Sequence, residues 1–378
     1  MVFYIIKSQR GKLSTITKKV MKKEHFKILA PFTRIEEVEL FKDAGADELY
    51  CGYITEELAE KWPIAFVVLN RRGEGQSFEK YKYFKEAVNQ ANKYDLPVYV
   101  TINGLYTPEQ YPLLLDLVSK VECLEGVKGI IVADMGLLLT LKKNKFTKEI
   151  HISTGGTCFN SSTAEFYRNL GANRIILPTD MTSSEIKNIV AENKFATDIE
   201  IFVVGGPCGG FTDGYCTFLH CLEKPVHKKI KDNIYASNYY TPEKAPTGCK
   251  FYFIEELAEG HFDVFNAASC KQKNIDLKYQ PEKHNFYGSP GCRICDLYDL
   301  KKYKIKNLKI SGRGFYSEEI VRRIKFVSKA VSYLTRNNIT KREYKRKCKD
   351  LFSRFFLNNK RRCTKFDCYF SCHWAKYE

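Results

Sequence analysis

The sequence predicts an α/β protein built as a TIM-like (β/α)8 barrel. Short apolar, β-branched runs alternate with stretches of helical period, and eight such runs can be counted. A doubly wound open sheet, the main competitor, would carry G-x-G-x-x-G after its first strand. Pro31-Phe32-Thr33-Arg34 stands there instead.

The elements follow in order from residue 26. Phe26–Pro31 reads as a strand, and Ile35–Ala44 as an amphipathic helix closed by Gly45. Glu48–Cys51 is a second strand, after which residues 53–77 are less regular. Tyr81–Tyr94 is helical, Pro97–Ile102 a strand, Glu109–Val121 a helix and Val127–Ala133 a strand. A helix at Leu137–Lys143 leads to a strand at Glu149–Ser153. Thr163–Leu170 is a helix, Arg174–Leu177 a strand and Ser184–Glu192 a helix. The apolar run Ile199–Val204 is the seventh strand. Leu308–Ile310 begins the eighth, and Glu318–Leu334 is a long helix.

These elements divide the chain into a basic extension (1–25), barrel strands 1–7 (26–204), a cysteine-rich insertion over the barrel mouth (205–300), the last strand and helix (301–339), and a basic cysteine-rich tail (340–378). The insertion breaks the β/α rhythm. Loops of such length are usually functional or disordered, and this one holds Cys208, Cys216, Cys221, Cys249, Cys270, Cys292 and Cys295. Three of its thiols stand directly behind a buried strand, on backbone that Gly205, Gly206, Gly209, Gly210 and Gly214 leave able to fold tightly. That arrangement suits a soft metal centre.

Composition narrows the class. A hydrophobic share of 44% is ample for a core. No apolar run approaches the roughly 18–20 residues that span a bilayer. The N-terminus places its basic residues after the apolar start, the reverse of a secretory signal, so a cytoplasmic location is expected. Fourteen cysteines in a reducing compartment point to ligands or chemistry rather than disulfides. The net charge of +17 gathers at the ends. Residues 1–25 carry seven Lys/Arg against one Glu, and residues 340–378 carry twelve against four Asp/Glu. Such ends can attract RNA or another polyanion, or simply be solvated.

In a barrel the polar residues at strand C-termini face one mouth. They are Asn103, Asp134, Ser153 with Thr154, Asp180, the cysteine loop and Arg313. Asn103, Asp134, Ser153 and Arg313 are therefore the candidate substrate pocket. Zinc knuckles pair their cysteines closely, and only Cys292-x-x-Cys295 does so here. Single cysteines gathered by a fold suit an iron–sulfur cluster better. In the tail, Cys348, Cys363, Cys368 and Cys372 form a second candidate metal site, for zinc or another cluster. The tail aromatics Phe352, Phe355, Phe356, Tyr369 and Trp374 suit either core packing or stacking on single-stranded RNA. No G-x-S-x-G or H-E-x-x-H is present, and His151, His220 and His261 read as structural.

Several stretches resemble the peptidase U32 (collagenase-like) family. They are KILAPFTRIEEVELFKDAGADELYCG, VYVTINGLYTPEQ, IHISTGGTCFNSSTAEFYRNLGANRIILPTDMTSSEI, IEIFVVGGPCGGFTDGYC and LKISGR before a long helix. The resemblance implies a TIM-like barrel. For several members it also implies a [4Fe–4S] cluster and oxygen-independent hydroxylation of RNA bases or quinone precursors, while other members are described as peptidases. Carried over by position, the cluster ligands fall on Cys208, Cys216, Cys249 and Cys292, with Cys221 and Cys295 as alternates. Three departures stand out: seven residues rather than six separate the first pair, Phe218–His220 replace a usual serine, and Ser311 replaces the glutamate of KIEGR.

The leading expectation is an iron–sulfur enzyme that hydroxylates an RNA base or small aromatic metabolite, with a redox partner or related subunit among its partners. The alternatives are a peptidase acting on a peptide or precursor, and a zinc-stabilised RNA- or partner-binding protein without turnover.

Overall fold

In the computed structural model the described residues are 26–61, 75–179, 181–192, 197–205, 291–303, 305–335, 339–360 and 362–363, together with the backbone of four short strands between 211 and 266. Strands β1 (Lys27–Pro31), β2 (Glu48–Gly52), β3 (Val98–Ile102), β4 (Val127–Val132), β5 (Glu149–Ile152), β6 (Arg174–Ile176) and β7 (Asp198–Gly205) pair in parallel, each with the next. Two hairpins follow, β8 (Phe211–Thr212) with β9 (Tyr215–Cys216) and β10 (Phe251–Glu256) with β11 (His261–Asn266). Strand β12 (Gly291–Cys292) runs antiparallel to the end of β7, and β13 (Asn307–Ile310) lies between β7 and β1. The ring β1 to β7 and β13 is a closed eight-stranded parallel barrel. Each of the eight expected strand starts falls within one residue of the observed one.

The strands are largely buried, with exposed residues such as Lys27, Lys128 and Asp198 near their starts, because the barrel has apolar matter on both sides. One set of side chains, including Ile28, Leu49, Val98, Ile130, Ile150, Ile175 and Ile201, packs outward into the main core under the helices. The intervening residues Leu29, Tyr50, Tyr99, Ile131 and Ile176, with Phe202, form a second, inner cluster. Charged residues on the inner face, notably Glu48, Arg174, Glu200 and Lys309, break the apolar filling that such barrels usually carry.

The outer layer comprises α1 (Glu37–Ala44), α2 (Glu56–Lys61), α3 (Tyr81–Lys93), α4 (Tyr111–Glu122), α5 (Met135–Lys143), α6 (Ser161–Asn169), α7 (Ser183–Glu192), the short α8 (Leu297–Leu300) and α9 (Ser317–Thr335). Helix α1 buries Val38, Phe41 and Ala44, each three residues from the next, and ends at Gly45 with φ of 107°. Helix α2 lies within the stretch that shows no periodicity in sequence. Its EELAEK buries a single residue, Leu58, so it has no apolar stripe to detect.

After α9 the chain forms α10 (Lys341–Phe356), capped by Thr340, whose Oγ1 accepts from Glu343 N at 3.2 Å. Helix α10 packs on α9. Phe352 and Phe356 are buried against the Phe326 ring, with centroids 5.8 and 5.0 Å from it and 5.1 Å from each other. Phe352 and Phe356 are therefore core residues and not a platform for RNA; Tyr369 and Trp374 lie outside the described residues. No helix among the described residues is long and apolar enough to cross a membrane.

Candidate active site

The inner face of the barrel is built around Arg174 on β6. Its Nη1 donates to Glu48 Oε2 at 2.7 Å and to Glu200 Oε2 at 3.0 Å, and its Nη2 donates to Glu48 Oε1 at 3.2 Å. Lys309 Nζ on β13 donates to Glu200 Oε1 at 3.1 Å and lies 4.2 Å from the centre of the Tyr50 ring. Two carboxylates and two cations thus alternate across β2, β6, β7 and β13, all at or below 4% exposed. Burial would push the Glu200 pKa up, but Lys309 and Arg174 beside it pull it below the ordinary carboxylate value. Burial pushes Lys309 down, with Glu200 opposing it.

His151 on β5 belongs to the same interior. It is fully buried, its Nε2 lies 3.1 Å from Glu149 Oε2, and its ring packs on Tyr99. Burial holds its pKa below 6.5, while the bond from His151 takes Glu149 down to about 2. His151 is thus a structural residue of the interior.

These shifts all act with one sign. A carboxylate lowered by folding stabilises the fold above its unfolded pKa near 4.5, and that contribution is lost as pH falls. A histidine kept neutral by burial favours unfolding once pH drops below 6.5, because only the unfolded chain takes the proton readily. Unfolding free energy measured by urea titration should decline as pH falls below about 6.5, and fall more steeply below about 4.5. A constant value between pH 7 and 4 would show that these groups are not held as described.

Above this layer, toward the strand C-termini, a cavity of about 40 Å³ is lined by Tyr50, Thr101, Asn103, Ser153, Lys309 and Arg313, among others. Asn103 Nδ2 donates to Ser153 Oγ at 3.3 Å. Arg313 donates through Nη1 to Thr101 Oγ1, which in turn donates to the Cys51 carbonyl at 3.1 Å. The loop that carries Arg313 is fixed by two glycines in the left-handed region, Gly312 (φ 124°) and Gly314 (φ 83°). A Cβ on Gly314 would stand 2.4 Å from the Gln76 side chain.

Of the four residues expected to form the pocket, the structure brings together Asn103, Ser153 and Arg313. Asp134 corrects the expectation. It caps α5, accepting from Leu137 N at 2.7 Å, and it also accepts from Tyr111 Oη at 2.7 Å and Tyr106 N at 3.2 Å. An Asp before a helix is commonly spent this way. The sequence reading missed Tyr50, Thr101 and Lys309 as cavity residues. The available signal was their place on the same alternating face as Glu48, Tyr99 and Arg174.

The cysteines divide similarly. Cys208, Cys221, Cys249, Cys368 and Cys372 lie outside the described residues, as does Asp180, and Cys216 is described only as backbone of β9. Cys292 is buried on β12, opposite Val204, with Ile294 N donating to its Sγ at 3.4 Å. Cys295 follows on a single 3-10 turn (Ile294–Asp296). Cys348 on α10 is 1% exposed, and Tyr344, one turn earlier on the same helix, donates through Oη to the Ile294 carbonyl at 3.1 Å, next to Cys295. The sequence groups Cys348 with the tail cysteines, of which Cys368 and Cys372 lie outside the described residues; the fold sets its helix face against the turn that carries Cys295. Cys363 is half-buried, and its N–H bonds Ser353 Oγ at 3.1 Å. Among the described residues no three His, Cys, Asp or Glu side chains are placed to hold a metal ion.

The model of peptidase family U32 matches residues 33–365. The chain belongs to this family. Curated relatives include tRNA hydroxylation protein P of Helicobacter pylori (strain J99), 26% identical over 246 residues, which cover 64% of this chain and 53% of the relative. Another is tRNA hydroxylation protein P1 of Bacillus subtilis, 27% identical over 210 residues, covering 54% of this chain and 44% of the relative. The chain thus spans about half the length of the curated relatives it matches. A solved U32 peptidase covers 52% of this chain and 74% of its own at 15% identity, with a TM-score of 0.39. This U32 member carries its polar cavity at the barrel mouth, where barrel enzymes bind their substrates.

Proposed function

We propose that this U32 protein modifies an RNA base, by adding a hydroxyl to a tRNA nucleoside. The observation that carries the reading is the mouth cavity with buried Lys309 and Arg313 beside Thr101, Asn103 and Ser153, in a chain whose curated relatives are named for tRNA hydroxylation. A base presents carbonyl and ring-nitrogen acceptors and N–H donors. Arg313 and Lys309 supply donors to the former, and the Asn103 and Ser153 oxygens accept from the latter.

The cavity's 40 Å³ suits about three waters at roughly 10–15 Å³ each rather than a nucleobase. A flipped base would therefore enter by displacing those waters and parting the rim. Arg313 and Lys309 would then face negative charge that develops on a ring oxygen, in a site with little water to screen them. A [4Fe–4S] cluster held by Cys292 and further cysteines is part of this proposal. Bound there, it would supply one-electron chemistry or Lewis acidity. The polypeptide's share is to orient the base, exclude water and hold charge at Lys309 and Arg313.

Comparing nucleosides from the tRNA of cells that do and do not express the chain tests the reading by mass spectrometry. The expected result is one nucleoside heavier by a single oxygen, present only with the chain. Unchanged tRNA, with hydrolysis of peptides by the purified protein, would favour the peptidase alternative. That alternative has little support within the cavity, where Ser153 faces Asn103 and His151 is committed to Glu149.

A further inference from the structure

Charge is spread unevenly around the barrel. Helices α1–α7 together carry ten Lys/Arg against twelve Asp/Glu, whereas α9 and α10 carry eleven against four. Of those four carboxylates, Glu319 is held by Arg322 and Arg323, and Glu343 by Lys347. Lys325 and Lys329 on α9, with Arg346, Lys349 and Arg354 on α10, are exposed and have no ion-pair partner among the described residues.

The two helices join these cations into one surface that leads to the mouth. They run antiparallel, with the Arg322 guanidinium 5.5 Å from the centre of the Phe356 ring and Lys347 Nζ 5.6 Å from that of Tyr333. Helix α9 descends from the mouth, because it follows the C-terminal end of β13, and α10 returns toward it. Where α9 begins, the loop that brings Arg313 to the cavity also carries Phe315 and Tyr316, 42% and 83% exposed. That loop is pinned on both sides. Arg323 donates to the Ser311 carbonyl at 2.9 Å and lies 4.7 Å from the centre of the Phe315 ring, and Arg34 donates to Ser317 Oγ at 2.7 Å. The Tyr316 side chain itself has no partner among the described residues.

We propose that α9 and α10 form a phosphate-binding track for the RNA substrate, with Tyr316 as the stacking platform for a base beside the one held in the cavity. This rests on the reading that the chain acts on RNA. An evenly solvated surface would spread its lysines over all the helices, and here the excess falls on the two that adjoin the Arg313 loop. Cations without carboxylate partners are available to phosphates, and their binding releases the counterions condensed on the nucleic acid. A ring presented on a pinned loop loses little freedom on stacking, and every base has a π face to offer it.

Length and polarity favour RNA as the occupant. Ser317 to Lys329 spans roughly 18 Å at 1.5 Å per residue, which matches about five stacked nucleotides at 3.4 Å each. The track therefore suits a strand leading away from the mouth, not a lone nucleotide. An anionic membrane would draw on the same cations, but it also takes up apolar side chains. Helices α9 and α10 turn Phe326, Phe352 and Phe356 inward and offer a lipid surface only charge.

The test is binding of fluorescently labelled tRNA to the full chain, followed by anisotropy from about 50 to 200 mM salt. Four proteins are compared: wild type, the triple variant Lys325→Gln/Lys329→Gln/Arg346→Gln, Tyr316→Ala, and a control triple Lys82→Gln/Lys85→Gln/Lys143→Gln on α3 and α5. All seven sites are exposed, so the fold should survive each change, and urea unfolding checks that it does. The first triple should weaken binding at least tenfold at low salt. It should also flatten the slope of log K against log salt by about 2, from three lost contacts at about 0.7 each. Tyr316→Ala should weaken binding about tenfold with the slope unchanged, since a stack carries no charge. The control triple should keep both affinity and slope.

Wild-type affinity and slope in the first triple, or an equal loss in the control, would overturn the track. Wild-type affinity in Tyr316→Ala would overturn the platform. A wild-type chain that binds no tRNA but does bind phosphatidylserine vesicles would replace the RNA track by a membrane surface. Binding that follows the expected pattern while tRNA nucleosides stay unmodified would keep the track and sink the base-modification reading.

Discussion

Arg174→Met should cost about 3–5 kcal/mol of stability, the range found when one partner of a buried ion pair is removed. Methionine fills similar space, so the loss comes mainly from the carboxylates left behind. Glu200 would keep Lys309 at 3.1 Å, but Glu48 would retain only Lys27, whose side chain is 54% exposed. Glu48 itself is 1% exposed, so nearly the whole cost of an unpaired buried charge falls on it. The double variant Arg174→Met with Glu48→Gln should therefore recover part of the loss, a coupling that urea unfolding can measure in a double-mutant cycle. Equal stability of wild type and Arg174→Met would mean that water reaches the barrel interior and screens the group.

That ion network also shows where sequence reading stops. The barrel was legible because each strand is a short run of Ile, Val and Leu with a helix behind it, and the starts fall within a residue of the observed ones. Glu48, Arg174, Glu200 and Lys309 sit inside four such runs, and alternation alone says only that each may face inward. Glu48 and Arg174 are 126 residues apart, and Glu200 and Lys309 are 109 apart. Barrel closure creates those pairs, and no local pattern encodes them. The cysteines repeat the lesson. Cys348 reads in sequence with Cys363, Cys368 and Cys372, the last two outside the described residues, and the fold adds a neighbour no spacing announces: the face of α10 that carries it is anchored on the turn with Cys295. Asp134 failed for the opposite reason, since its job is local: an acceptor before Met135 is first claimed by the helix N–H groups.

If the chain modifies tRNA as proposed, Arg313→Ala should lower the rate by about 10²-fold or more, the loss typical when one donor facing developing charge is removed. Arg313 is 4% exposed at the cavity wall, and the two left-handed glycines beside it fix the backbone from which it reaches Thr101. Replacing it removes both a charge and the planar fork that can bind a carbonyl and a ring nitrogen together. Arg313→Lys keeps the charge and loses the fork, so it should stay well below wild type. The structural cost is smaller, about 1–3 kcal/mol for the Thr101 hydroxyl that loses its donor. Thermal unfolding of each variant therefore separates damaged chemistry from a damaged fold. Ser153→Ala, which removes only a neutral hydroxyl from the Asn103 pair, should fall between Arg313→Ala and wild type. Folded Arg313→Ala that modifies tRNA at the wild-type rate would move the site away from this cavity. A loss confined to RNA affinity at low salt would make Arg313 a phosphate contact instead, because such contacts weaken uniformly as salt rises.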